Sequence, residues 1–165
     1  MRQFIAKITL AILLCGLGLT SSQAQDSHHV IESLNQAQWS PAPPMLPAGA
    51  QIEVLAGNPM GQGFYTIRVK FPAHYAIPAH SHPTDENVVI VSGSLTFGMG
   101  DRLVKDVSTN KTLMSGGFAL MPAGMNHFAY TSEHETTVVL YGMGPVEFKY
   151  VNPADDPRAA QKGGQ

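Results

Sequence analysis

The stretch Ile77–Gly93 reads IPAHSHPTDENVVIVSG. His80 and His82 are one residue apart, Glu86 follows four positions after the second, and an apolar run then ends at Ser92-Gly93. Residues i and i+2 of a strand point the same way, so His80 and His82 share a face. Glu86 has the same parity. On one straight strand it would lie about 20 Å from His80. Metal bonds are only about 2 Å long. The three side chains can therefore meet only if the chain turns back. Pro83-Thr84-Asp85 supplies that turn, because proline fixes φ while Thr and Asp bond the local backbone. Pro78 keeps the approach extended. A fourth donor, His127, stands 41 residues beyond Glu86 in LMPAGMNHFAY, where Pro122 and Gly124 make a turn and a strand follows. Three imidazoles and one carboxylate suit a divalent transition ion.

The surrounding chain reads as short strands. QIEVLA, FYTIRVKF, ENVVIV, SLTFGM, GFALM, NHFAYT, TTVVLYGM and EFKYV are rich in β-branched and aromatic residues and are cut by Gly, Pro or polar runs. In FYTIRVKF, Tyr65, Ile67, Val69 and Phe71 fall on one face, and Thr66, Arg68 and Lys70 on the other, toward water. No ten-residue stretch beyond the arm repeats at 3.6. The expectation is an all-β antiparallel sandwich or barrel. NVVIV and TTVVLY are apolar on both parities, so their outer face needs a cover, either a partner subunit or the proline-rich arm.

These segments resemble the cupins. The first cupin motif has two histidines one residue apart, a glutamate after three or four more, and a glycine after a further six; His80, His82, Glu86 and Gly93 match it. The second runs from a glycine across five residues to Pro-x-Gly, then two residues to a histidine; Gly116, Pro122, Gly124 and His127 match it. Twenty-two residues, Ser94 to Ser115, separate the two. The resemblance spans Gln51 to Val151 and extends to small secreted bacterial cupins. It implies a jelly-roll (double-stranded β-helix) barrel with a metal inside, held by His80, His82, Glu86 and His127. Fe or Mn is the preferred ion, with Ni, Co and Zn behind them. His74 stands where the first motif begins with glycine, and Thr131 where the second ends in asparagine.

The N-terminus reads as a processing signal. Arg2 and Lys7 precede the apolar run Ile8–Leu19, and Ser22 and Ala24 suit a cut after residue 24. Twelve residues are too few to span a bilayer as a helix. The expected layout is a signal peptide at 1–24, a proline-rich arm at 25–50, a cupin domain at 51–151 and a polar tail at 152–165. The mature protein is expected in the periplasm or outside the cell, off the membrane, as a homodimer.

Cleavage removes Cys15, the only cysteine, so no disulfide or thiolate ligand remains. Lys+Arg falls from 10 to 8 against 12 Asp+Glu, a formal charge of −4. With no basic cluster, nucleic acid is excluded as a partner. No lysine or arginine sits in an apolar run near the motifs, so a phosphorylated substrate lacks its counter-charge. A small oxygen-chelating substrate such as an enol, a diol, a catechol or one carboxylate fits better. Dioxygenase-type chemistry is the first expectation, isomerase or lyase the next, and a non-catalytic metal- or ligand-binding module the alternative. His74 and Tyr141 are acid/base candidates, each also readable as a loop or wall residue. The methionines read as core filler.

Overall fold

A computed structural model describes residues 30–162. The signal segment 1–24 and the pair His28-His29 lie outside the described residues. Eleven strands follow one another: β1 (Ser40–Pro41), β2 (Gln51–Ala56), β3 (Gly63–Phe71), β4 (Ala76–Ser81), β5 (Glu86–Ser92), β6 (Ser94–Met99), β7 (Lys111–Met114), β8 (Phe118–Met121), β9 (His127–Tyr130), β10 (Thr136–Gly144) and β11 (Lys149–Tyr150). A short helix, α1 (Pro157–Lys162), follows in the tail. One sheet has the order β1-β2-β3-β10-β5-β8 and the other β11-β4-β9-β6-β7, with every pairing antiparallel. Consecutive strands repeatedly switch sheets, which is the jelly-roll arrangement expected.

Alternation decides what each strand buries. Tyr65, Ile67, Val69 and Phe71 of β3 face the interior with Val88 and Ile90 of β5, Val138 of β10, and Leu95 and Phe97 of β6. Removing such a side chain from water contributes about 1.5–3 kcal/mol. The tight β5–β6 turn depends on Gly93, whose φ is 75°. A Cβ there would lie 2.4 Å from the Glu135 carbonyl oxygen. Only glycine avoids both the strain and the clash.

β7 is a strand that periodicity does not reveal. KTLM has one partly buried residue, Leu113, and forms because its backbone pairs with β6. The tail is more ordered than its composition suggests. Arg158 donates to both Asp156 carboxylate oxygens and to the Phe148 carbonyl.

The proline-rich segment does two jobs. Trp39 lies under Lys70 Nζ at 4.4 Å, and β1 extends the sheet beside β2. Further on, Leu46 and Ala50 enter the core, and the hydroxyls of Tyr75 and Tyr150 donate to the Pro47 and Met45 carbonyls. The core therefore begins before Gln51. The arm closes one end of the barrel as well as crossing its outside.

Arg68 corrects the expectation that its face points to water. It is 9% exposed, donates to Glu53 at 2.9 Å, and reaches the Glu32 carbonyl at 3.3 Å. The other Glu53 oxygen accepts from the Gln38 backbone at 2.7 Å. A polar parity can be buried when a neighbouring segment brings its own charges, and the arm does so here. It leaves the rest of that face uncovered: Phe64, Phe118, Leu120 and Met143 are each about half exposed. Met60, Met99, Met114 and Met125 are also largely exposed, so of the strand-region methionines Met121 alone behaves as filler among the described residues.

Replacing Glu53 by Gln leaves the Arg68 guanidinium short of its nearest counter-charge. A loss of about 2 kcal/mol is expected. Denaturant melts at neutral pH should show it, with loosening of the arm read from Trp39 fluorescence.

Candidate metal centre

β4 and β9 are neighbours, and His80 is paired with His127 in their register. Paired residues on antiparallel strands present the same face, so the two rings meet, with centroids 4.4 Å apart. His82 lies just past the end of β4, where the chain bends at Pro83-Thr84 before β5 begins with Glu86. The bend carries Glu86 into the opposite sheet, facing His82. His82 Nε2 and Glu86 Oε2 are 3.6 Å apart. The His82 ring is 4.9 Å from that of His80 and 5.3 Å from that of His127. All four side chains are buried.

Each imidazole is oriented by a main-chain carbonyl. Nδ1 of His80 contacts Pro78 O at 2.7 Å, that of His82 contacts Glu147 O at 2.7 Å, and that of His127 contacts Met125 O at 3.0 Å. A carbonyl only accepts, so each Nδ1 carries the proton and donates. Each neutral ring then presents a bare Nε2. Outer-sphere bonds of this kind set the tautomer of metal-binding histidines.

His82 Nε2 is buried and has no hydrogen-bond partner among the described residues. An unprotonated nitrogen facing a carboxylate across 3.6 Å brings two lone-pair donors together with nothing positive between them. A cation removes that conflict. One ligand atom from each of His80, His82 and His127 can be chosen so that all lie within 4.8 Å of one another. The three histidines can hold a metal ion.

The electrostatics keep two of the rings, those of His80 and His127, neutral. Burial, then the neighbouring His127 and His82, push His80 down to about 2, against the bond to Pro78. Burial also lowers His127, opposed by its bond to Met125 and by Glu86. Phe148 stacks on His80 at 4.6 Å and meets His82 edge-on at 4.6 Å, walling the group from one side. Leu46 from the arm, with Phe71, Ile77, Leu95 and Phe97, lines the cavity beside His80, Glu86 and His127, and among the described residues no Lys or Arg lines it.

The other sequence candidates lie elsewhere. His74 sits in the β3–β4 turn with φ of 58°, and its side chain is 64% exposed and 3.4 Å from Glu133. It is at the far end of β4 from His80. Tyr141 points to the outside of its sheet, its ring 6.4 Å from Phe64, whereas its neighbour Leu140 lines the interior. Thr131 is buried and structural. Its hydroxyl accepts from Tyr75 N at 2.8 Å and donates to Pro72 O at 2.7 Å. One interior residue escaped the sequence reading: Phe148 reads as one aromatic of a terminal strand, whereas Tyr65 is a core and pocket-wall residue as its parity predicts.

The sequence profile of the ChrR cupin-like domain matches residues 27–147, so the arm falls within the family's span. No curated protein matches the sequence. Solved structures do match in fold. The polyketide cyclase RemF from Streptomyces resistomycificus is 15% identical with a TM-score of 0.54, over 68% of this chain and 78% of that one. An RmlC-like cupin from Shewanella frigidimarina is 14% identical with a TM-score of 0.52, over 78% and 96%. The DMSP lyase DddQ from Ruegeria pomeroyi is 21% identical with a TM-score of 0.51, over 66% and 56%. At such identities the likeness is one of fold. The profile match, the two-sheet barrel and the histidine group inside it make this chain a member of the ChrR cupin-like domain family.

Proposed function

We propose that the protein is an exported, mononuclear metal-dependent cupin in which Glu86 joins His80, His82 and His127 as the fourth ligand. The observation that carries this reading is the buried, unpartnered Nε2 of His82 facing Glu86 at 3.6 Å. Fe(II) or Mn(II) is the preferred ion, since a mixed imidazole and carboxylate set suits the harder transition ions. When bound, such an ion supplies Lewis acidity and a template for an oxygen-donor ligand.

The reading is of an enzyme acting on a small oxygen-chelating molecule, with dioxygenase-type chemistry ahead of isomerase or lyase chemistry. The chain's own groups support this in three ways. The carbonyl-bound Nδ1 atoms hold the rings in one orientation before any ligand arrives. Phe148, Leu46 and the barrel wall exclude water from one side of the group. The cavity offers no Lys or Arg to a phosphate, which favours a substrate of little charge. RemF is a polyketide cyclase and DddQ a DMSP lyase, so this barrel shape is compatible with catalysis. In this reading the uncovered face around Phe118 and Leu120 belongs to a contact between two copies.

His80→Ala and His127→Ala proteins should bind metal at least about 100-fold more weakly while keeping their strand content. Metal analysis with circular dichroism checks this, and unchanged stoichiometry in both would refute the ligand set. Oxygen uptake by the metal-loaded protein with a panel of catechols and enols tests the reaction. Stoichiometric binding with unchanged release of every compound would indicate a binding module instead.

The metal-free protein should lose stability in acid. His80 and His127 have folded pKa values below the unfolded value of about 6.5. The unfolded chain then takes up more protons as pH falls. Stability should be level above about pH 6.5 and fall below it, by about 1.4 kcal/mol per pH unit for each such histidine. Urea melts at pH 7.5 and 5.5 measure the slope. A flat profile would show that the rings are charged in the fold.

A further inference from the structure

Tyr65 of β3 is paired with Gly142 of β10, and Gly142 is paired with Glu86 of β5. Residues opposite one another on antiparallel strands share a face. One interior row therefore runs from a phenol, across a position with no side chain, to the carboxylate beside His82. A Cβ at Gly142 would lie 3.5 Å from Tyr65 Oη, 3.6 Å from its Cε1, and 2.8 Å from the Asp85 carbonyl oxygen. The phenol thus lies over Gly142, pointing along the row toward Glu86.

The fate of its hydroxyl separates Tyr65 from the other buried tyrosines. Tyr75 and Tyr150 end on the Pro47 and Met45 carbonyls, and Tyr130 accepts from Asn110. Tyr65 is 3% exposed, yet its hydroxyl has no hydrogen-bond partner among the described residues. Unlike His82 Nε2, this hydroxyl is not sealed from solvent, so its proton is open to a molecule in the adjoining cleft. The cleft it faces is narrow and part of it is open to solvent. Met45 and Leu46 of the arm, Ile52, Pro59 and Val146 form apolar walls there. Leu46, Glu86, Leu140 and Phe148 line both this cleft and the cavity holding His80 and His127, so the two adjoin. Among the described residues no Lys or Arg lines either.

We propose that the Tyr65 hydroxyl is a substrate-binding hydrogen-bond donor. It positions one oxygen of a small, largely apolar organic ligand whose body occupies the cleft under the arm. The assignment deepens the metal-centre reading and rests on it only for the second oxygen, which would face the histidines. Burial first, and the Glu86 charge second, raise the phenol's pKa, so it stays protonated and able to donate. The carbon-rich walls select against ligands with more than one charge.

The test is a titration of the cobalt-loaded protein with 4-nitrocatechol, followed by its visible absorption. Tyr65→Phe should bind about tenfold more weakly, the worth of one hydrogen bond at the upper end of its range. Its cobalt content and melting temperature should match the parent's, and Tyr141→Phe, on the outer face, should bind as the parent does. Equal affinity in Tyr65→Phe with cobalt content intact would overturn the assignment while leaving the metal centre standing, with water as the hydroxyl's ordinary partner. If the parent takes up no cobalt, the metal reading fails. The same pair titrated without metal then decides, a weaker Tyr65→Phe supporting the assignment and equal or absent binding overturning it.

Discussion

The pairing of His80 with His127 across β4 and β9 is the constraint on which the site depends. It brings together residues distant in the chain and sets the ring spacing at 4.4 Å. Three carbonyls then fix which nitrogen of each ring looks inward. These bonds come from the same irregular main chain that ends the strands, so ring orientation is coupled to the fold. The cost is a buried nitrogen, His82 Nε2, with nothing to bond. A small barrel gains little from such a group in isolation. Its presence beside a carboxylate gives the cluster the character of a ligand set rather than of a satisfied polar core.

The arm has an equally specific place. Glu53 holds Arg68 with one oxygen and the Gln38 backbone with the other, so a single carboxylate ties the arm to the outside of the sheet. A few residues later the arm passes over the barrel end, where Leu46 and Met45 wall the space next to the histidines. The segment that walls this space is thereby anchored by electrostatics on the outside of the sheet. The Met45 and Pro47 carbonyls fasten it a second time, to Tyr150 and Tyr75.

Much of the molecule was legible beforehand, for local reasons. Runs such as FYTIRVKF alternate strictly because one face is buried, and Gly93 marks a turn no other residue can make. The turn at Pro83-Thr84 followed from the reach of one strand against the length of a metal bond. β7 escaped because it is an edge strand whose residues are mostly exposed. Arg68 escaped because its burial depends on the arm, which polarity within β3 cannot report. His74 and Tyr141 carry acid/base side chains, but His74 sits in the β3–β4 turn at the far end of β4 from His80, and Tyr141 faces the outside of its sheet.

By itself the sequence determined the donor chemistry: which side chains are available, their parity, and where the chain must bend. Those are properties of neighbouring residues. The tertiary structure alone decided the convergence, because cross-strand register and main-chain carbonyl direction are set by segments far apart in the chain. It also decided that Gly142 would leave room for the Tyr65 phenol beside Glu86, a relation among three strands that no local pattern can carry.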